Sequence, residues 1–175
     1  VRRLLAEAQM GARLQHPGTL PVHEVGVSDD GSPFVVLPRI RGRSLAELLA
    51  SRSSVEHGRE RFLEMALALA RALAYAHSRG VTHRDVKPAN VMVGAFGEVQ
   101  LVDWGLAKAA GVDALPDEPG AAALGGAVAG GSLPGSVLGT PRYMAPEQAR
   151  GDLGAIGPRT DVFAWGGLLA EVLCG

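Results

Sequence analysis

The feature that most constrains this chain is a polar octapeptide placed directly before a predicted β-hairpin. Its sequence is His83-Arg84-Asp85-Val86-Lys87-Pro88-Ala89-Asn90. Residues 91–93 and 98–102 have the composition of strands, and residues 94–97 that of a turn. A turn centred near residues 96–97 pairs Asn90 with Asp103, and paired Cα atoms lie roughly 4.5–5.5 Å apart. We therefore expect these two polar side chains to lie together at the open end of the hairpin.

The side chains gathered at this end suit phosphoryl transfer. Asn90 and Asp103 offer the amide and carboxylate oxygens that Mg²⁺ prefers, together with phosphate. Asp85 lies five residues before Asn90, on the loop that enters the hairpin, and can accept a proton. Lys87 supplies a positive charge for a phosphate group. The four residues therefore predict a phosphoryl-transfer site that uses Mg²⁺.

The rest of the pattern predicts a mixed chain of helices and short strands. Helices are predicted over residues 1–15, 44–50 and 59–78, and from Thr160 onward. Ser44 and Glu47 have the spacing of a capping box. A further hairpin is predicted from residues 20–27 and 34–40, which flank a turn. Residues 109–136 contain 7 Gly and 8 Ala among 28 residues and are predicted to form a mobile loop.

Composition excludes several classes of protein. The 175 residues carry 17 basic and 18 acidic side chains, a formal net charge of −1, so we expect no nucleic-acid partner. The single cysteine, Cys174, excludes an internal disulfide framework and indicates a reducing, cytoplasmic location. The apolar runs near residues 63–76 and 162–174 are short or interrupted by charges. We therefore expect no membrane segment within this chain, although a longer protein could be anchored elsewhere.

The order of the motifs resembles the eukaryotic-type serine/threonine protein kinase family as it occurs in bacteria. H-R-D-x-K-x-x-N at residues 83–90 is followed by Asp103-Trp104-Gly105 and by Ala145-Pro146-Glu147. Further stretches resemble helix C and the loop after it, the hinge, the substrate-docking loop and the helix that anchors the catalytic loop. These stretches are Glu7 with His16-Pro17, residues 34–40, residues 139–144 and Thr160-Asp161-Val162. The resemblance extends over essentially all 175 residues.

The resemblance implies an α+β, two-lobed protein kinase fold. Residues 1–39 would be a remnant of the small lobe, and residues 40–175 the mostly helical large lobe. The activation segment would extend over residues 103–147. ATP, Mg²⁺ and protein substrates carrying Ser or Thr are the implied partners.

The resemblance also implies catalytic and metal-binding roles. Asp85 would accept the proton of the substrate hydroxyl, and Lys87 would stabilise the charge on the γ-phosphoryl group. Asn90 and Asp103 would hold Mg²⁺. Thr140 would brace Asp85 and Lys87 and favour Ser/Thr substrates.

Nucleotide binding, structure and regulation are assigned in the same way. Leu37 would be the gatekeeper, the Pro38 carbonyl and the Ile40 N–H would meet adenine, and Met92 would pack beneath the ring. Glu7 would be the helix-C glutamate. Structural or regulatory roles would fall to His83, Arg84, Trp104, Gly105, Glu147 and Asp161, and phosphorylation to Ser132, Ser136 or Thr140. Arg84 beside Asp85 suggests control by phosphorylation of the activation segment.

Two departures from the family pattern leave alternatives open. No G-x-G-x-x-G occurs in the chain, and no lysine precedes Glu7 to pair with it. The family's last helices are also missing, together with the arginine that normally pairs with Glu147. We therefore expect a fragment, truncated at both ends, that is inactive by itself although its parent is an active kinase. A pseudokinase or scaffold would also lack the lysine. A small-molecule phosphotransferase can share H-x-D-x-x-x-x-N, but it needs no protein-docking segment.

Overall fold

Groups of short strands are followed by pairs of helices along the chain, and the computed structural model describes them over residues 14–104, 107–109 and 140–175. The strands are β1 (Glu24–Val27), β2 (Pro33–Val36), β3 (Gly42–Ser44), β4 (Val81–Thr82), β5 (Val91–Gly94), β6 (Val99–Leu101) and β7 (Lys108–Ala109). The α-helices are α1 (Leu45–Ala50), α2 (Arg59–Ser78), α3 (Pro146–Ala149) and α4 (Pro158–Cys174). Single 3₁₀ turns occupy Pro88–Asn90 and Pro141–Tyr143. The mixed α+β class predicted from the sequence is confirmed.

Helix α1 begins where its capping box predicts. The Ser44 hydroxyl accepts the backbone N–H of Glu47 at 3.2 Å, and the Glu47 carboxylate accepts the N–H of Ser44 at 2.8 Å. This reciprocal pair satisfies two N–H groups that the helix itself leaves without a partner. Because Ser44 is also the last residue of β3, the cap fixes the direction in which the chain leaves that strand.

The core is built around α2, which extends over the residues predicted for it. Its apolar stripe is buried against α4 and the strands, and it includes Phe62, Met65, Leu69, Leu73 and Ala76. The indole N–H of Trp165 on α4 donates to the Ala66 carbonyl at 2.9 Å. In the described residues no helix is long and apolar enough to cross a membrane.

Helix α4 is also held at its carboxyl end. The guanidinium of Arg52, from the loop after α1, donates to the carbonyls of Val172 and Glu171 at 2.8 and 2.9 Å. These carbonyls lie in the last turn, where a helix has few N–H partners for its C=O groups, and the Glu171 carbonyl also accepts the N–H of Gly175 at 3.0 Å. The same guanidinium lies 5.6 Å from the centre of the Phe62 ring on α2. Arg52 therefore ties α4 to α2.

The second hairpin forms as predicted, but its predicted register is wrong by one residue. Val91 pairs with Leu101 and Val93 with Val99, and the Val102 N–H donates to the Asn90 carbonyl at 2.9 Å. Asn90 therefore lies opposite Val102 rather than Asp103. The cause is a three-residue loop whose last residue, Gly97, has φ +87°, the left-handed conformation of a bulge residue.

Other boundaries differ in smaller ways. In the first hairpin, β1 and β2 pair antiparallel, but they are shorter than the predicted runs, and residues 37–40 lie outside β2. The sequence analysis missed β3, which pairs with β5, and the pair of β4 with β7. Helix α4 begins at Pro158 rather than Thr160. The helix predicted over residues 1–15 and the loop over 109–136 lie outside the described residues, apart from Leu14, Gln15 and Ala109.

We expect Leu69→Ala to lower the free energy of unfolding by about 2–5 kcal/mol, because it leaves a cavity in the core. Leu69 is 1% exposed, whereas Leu67 on the same helix is 50% exposed. The matched variant Leu67→Ala is expected to change this free energy by less than about 0.5 kcal/mol. Urea unfolding followed by tryptophan fluorescence measures both variants. Equal losses would contradict the assignment of the buried face of α2.

Candidate active site

A loop with an unusual backbone connects β4 to β5. This site loop, residues 83–90, contains Arg84 with φ +72°, and Asp103 after β6 has φ +62°. Among the described residues these are the non-glycine positions with positive φ. Such a conformation is strained and persists where several contacts determine it. The contacts around Arg84 are therefore the structural basis of the site.

The carboxylate of Asp161 anchors the beginning of the site loop. Asp161 lies in the first turn of α4 and is 1% exposed. Its two oxygens accept the backbone N–H groups of His83 and Arg84, each at 2.8 Å. The imidazole Nε2 of His77, on α2, lies 2.7 Å from the same carboxylate. Three polar partners thus offset the cost of burying this side chain.

His83 is a buried, neutral imidazole that links the site loop to the strand beside it. Its Nδ1 accepts the Asp85 N–H at 3.2 Å, and its Nε2 lies 3.1 Å from the Val102 carbonyl. The neutral tautomer with the proton on Nε2 satisfies both contacts. Burial lowers the pKa of His83 below its ordinary value, although the carboxylate of Asp161 opposes this shift. The ring packs edge-on against Trp104, with centroids 4.6 Å apart.

Asp85, Lys87 and Asn90 converge in one polar cluster. The Lys87 ammonium donates to Oδ2 of Asp85 at 2.6 Å. The Asn90 amide donates to the same Oδ2 at 3.1 Å and to the Asp85 carbonyl at 2.9 Å. Asp85 is 9% exposed and Asn90 is 7% exposed. A carboxylate held in this way keeps one orientation and carries its charge beside a cation.

Three further residues predicted to belong to the site are Asp103, Trp104 and Thr140, and they differ in exposure and in hydrogen bonding. Asp103 is exposed, one residue beyond the last backbone pair of the second hairpin. Trp104 is buried, and its indole N–H donates to the Leu101 carbonyl at 3.0 Å. Among the described residues, the Thr140 hydroxyl makes no hydrogen bond to Asp85 or Lys87, so its bracing role stays a prediction.

The predicted nucleotide-binding residues lie on two strands or just after them. Leu37, Pro38 and Ile40 follow β2; Leu37 is exposed, and the other two are partly buried. Met92 is partly buried within β5, opposite Ser44 on one side and Gln100 on the other. The predictions for Glu7, Gly105, Ser132 and Ser136 lie outside the described residues.

Helix α3 connects the site loop to α4. The carboxylate of Glu147 accepts the Thr160 hydroxyl at 2.7 Å, and that hydroxyl oxygen accepts the Gly157 N–H at 3.1 Å. Gln148, the next residue, donates to the Arg84 carbonyl at 2.8 Å. The four residues of α3 therefore contact both the first turn of α4 and the strained part of the site loop.

A cavity of about 560 Å³ opens beside Lys87. Its walls come from α1 and the loop after it, the site loop, residues 140–143 and the end of α4. In its wall the Tyr143 hydroxyl donates to the Glu171 carboxylate, and Arg142 lies 3.6 Å from the same carboxylate. Burial, together with the bond to Glu171, raises the pKa of Tyr143 to about 12, so this phenol stays protonated.

The sequence analysis missed four residues that shape this site: His77, Tyr143, Gln148 and Glu171. Each lies on a helix or turn and contacts a residue far away in the sequence, so no local sequence pattern predicts the contact. For His77 and Glu171 the available signal was a polar side chain within an apolar helical stretch, which is unusual unless it has a buried partner. For Gln148 the signal was its place directly after Ala145-Pro146-Glu147.

The neutral state of His83 predicts a pH dependence of stability. The unfolded chain protonates this imidazole near pH 6.5, whereas the folded chain does so at lower pH. Because the unfolded state then binds more protons, the free energy of unfolding falls as the pH drops below about 6.5. Between about pH 7 and about pH 5, the free energy of unfolding measured in urea should fall less for His83→Gln than for the wild type. The exposed-site control His57→Gln should follow the wild type, and equal losses in all three would contradict the prediction.

Comparison with known proteins agrees with this geometry. The family model for the protein kinase domain matches residues 2–175. A probable serine/threonine-protein kinase of Streptomyces coelicolor is 36% identical over 174 residues, which is 98% of this chain and 23% of that protein. PknD kinases of Protochlamydia amoebophila and Chlamydia muridarum are 33% and 36% identical over 98% of this chain and 18% and 20% of their own lengths. The chain thus spans about a fifth of the length of these relatives, and it belongs to the protein kinase family as a domain of the bacterial serine/threonine type.

Proposed function

We propose that the full-length protein transfers the γ-phosphoryl group of ATP to Ser or Thr hydroxyls of protein substrates. The observation that carries this proposal is the cluster in which Lys87 and Asn90 hold one oxygen of Asp85 on an anchored loop. Positioning and charge stabilisation are what phosphoryl transfer requires from a protein. The names of the relatives, all serine/threonine kinases, support the same reaction.

Asp85 is proposed to accept the proton of the substrate hydroxyl. Both of the side-chain contacts described above fall on Oδ2, which leaves Oδ1 as the oxygen that can approach a substrate. Asn90 holds both the carboxylate and the carbonyl of Asp85, so the side chain cannot turn without breaking a hydrogen bond. The Asp85 carboxylate is therefore oriented before the substrate binds, so no further ordering of this side chain is needed during the reaction.

Lys87 is proposed to neutralise the charge on the transferred phosphoryl group. Its ammonium lies 2.6 Å from Asp85 and also lines the cavity beside the site loop. A cation in that position can contact a phosphate oxygen while it stays close to the proton acceptor. The Lys87 ammonium would therefore stabilise the negative charge that spreads over the phosphoryl oxygens in the transition state.

Asn90 and Asp103 are proposed to hold Mg²⁺, and their chemistry fits the ion. Because the amide nitrogen of Asn90 faces Asp85, its oxygen is left for another partner, and Asp103 contributes an exposed carboxylate. In the described residues no three His, Cys, Asp or Glu side chains cluster as a metal cage. One carboxylate and one amide oxygen suit Mg²⁺ completed by phosphate and water. When bound, the ion neutralises the phosphate oxygens of ATP.

The proposal extends to nucleotide binding, regulation and domain boundaries. Adenine would contact Leu37, Pro38, Ile40 and Met92, with Glu7 in helix C of a small lobe over residues 1–39. Residues 40–175 would form the large lobe, with Arg84 responding to phosphorylation within an activation segment over residues 103–147. Thr140 would favour Ser or Thr substrates, and the kinase domain would act in the cytoplasm.

Asp85→Asn should lower phosphorylation by the full-length protein about 100-fold or more, because the amide cannot accept the proton. Incorporation of labelled phosphate from Mg-ATP, with sites located by mass spectrometry, measures the effect. Asp29→Asn, in the exposed turn of the first hairpin, is the matched control and should retain wild-type activity. Wild-type ATP binding with no phosphorylation of any protein would overturn the proposal and favour a scaffold.

The cavity beside Lys87 is proposed to receive the substrate segment that flanks the phosphorylated residue. It opens at the site loop, and its wall includes Ala46, Leu49, Ala50, Val55, Pro88 and Ala89, which are apolar. Its three charged side chains already have partners: Arg52 binds carbonyls of α4, Glu171 binds Tyr143, and Lys87 binds Asp85. An apolar substrate side chain therefore suits it better than a charged one.

Ala50→Trp should raise the KM for a protein substrate about tenfold, since a bulky ring on α1 occupies space where the substrate would bind. The KM for ATP should stay unchanged. Ala95→Trp, in the exposed loop of the second hairpin, is the matched control. Steady-state kinetics with each substrate varied in turn distinguishes the two constants. An unchanged protein-substrate KM in Ala50→Trp would show that the substrate binds elsewhere.

A further inference from the structure

The peptide group between Arg84 and Asp85 is held at both ends. Its N–H, on Asp85, donates to Nδ1 of His83 at 3.2 Å. Its carbonyl, on Arg84, accepts the side-chain amide of Gln148 at 2.8 Å. This group leads directly into the residue proposed as the proton acceptor, so its orientation fixes where the Asp85 side chain begins.

Gln148 is built into this position by its own surroundings. It is 3% exposed, and its amide oxygen accepts the backbone N–H of Ala145 at 3.1 Å. Because the oxygen faces Ala145, the NH₂ group must face the Arg84 carbonyl. The orientation of the amide is therefore determined by Ala145, the residue directly before α3, and does not depend on the site loop.

The contact also offsets the strain at Arg84. A left-handed residue keeps its conformation only when the groups on either side are fixed. The N–H of Arg84 is fixed by Asp161, and its carbonyl by Gln148. The first contact comes from α4 and the second from α3, so two separate elements hold one residue.

We propose that Gln148 is a positioning residue, which holds the Arg84–Asp85 peptide and thereby aims the Asp85 carboxylate at the substrate hydroxyl. The inference rests on the proposed kinase function, and it adds a residue that acts through the backbone without touching ATP or substrate. It also makes α3 the element through which a movement of residues 140–145 changes the orientation of Asp85.

Two variants of the full-length protein test this role. Gln148→Met keeps the length of the side chain and removes its donor, and we expect kcat to fall about tenfold or more with both KM values unchanged. Gln148→Glu places a carboxylate against the Arg84 carbonyl, and kcat should also fall near neutral pH. At lower pH the new carboxyl can bind a proton and donate it to that carbonyl. Its activity relative to the wild type at the same pH should then recover, whereas that of Gln148→Met should not.

The matched controls are Gln15→Met and Gln15→Glu at an exposed position, which should keep wild-type kcat at every pH. Thermal unfolding of each variant establishes that it is folded at the assay temperature. A wild-type kcat in folded Gln148→Met would overturn the inference while the kinase function stands.

Hydrogen exchange supplies a readout that does not depend on activity. In Gln148→Met, the peptide that contains the Asp85 amide should exchange faster than in the wild type, because its peptide group is held at one end only. Unchanged exchange there would overturn the inference, even if the wild type showed no phosphorylation. A wild type without phosphorylation, combined with faster exchange in the variant, would overturn the proposed function and support the positioning role.

Discussion

The contact between the Asp161 carboxylate and the backbone of the site loop is the interaction on which the rest of the site depends. Two N–H groups of adjacent residues converge on one buried side chain, and the second of these residues, Arg84, is held in a left-handed conformation. Asp161 itself lies in the first turn of α4, where the helix dipole favours a negative charge. A helix terminus, a buried carboxylate and a strained loop are therefore one unit.

The polar groups of the site are linked in series. Asp161 fixes the N–H of His83, and the ring of His83 in turn fixes the N–H of Asp85 and meets the strand end at Val102. Asn90 then connects Asp85 to the second hairpin, whose register positions Asp103. Burial strengthens each of these hydrogen bonds, and it also makes an unpaired member costly. A substitution at one end of the series is consequently expected to change the positions of residues that the substituted side chain does not contact.

Local signals made part of this architecture predictable from sequence. The capping box of α1 and the apolar stripe of α2 each depend on residues of a single helix, and both predictions are confirmed. The strands β3, β4 and β7 are two or three residues long and form only because partners approach from elsewhere in the chain. The partners of Gln148 and His77 were missed for the same reason. The convergence of Asp85, Lys87 and Asn90 needed only a short stretch of chain, which is why motif spacing sufficed.

The three-residue loop of the second hairpin has a consequence for how its sequence can vary. Phe96 at its tip is 95% exposed, so its identity is almost unconstrained by packing. The length of the loop is more constrained than its tip residue, because successive side chains of the strand that follows face opposite sides of the sheet. A change of length that shifted the pairing of β6 on β5 by one residue would exchange the faces of β6 and turn the buried Leu101 outward. Natural variants of this turn should therefore differ freely at Phe96 but keep Gly97 and the pairing register of the two strands.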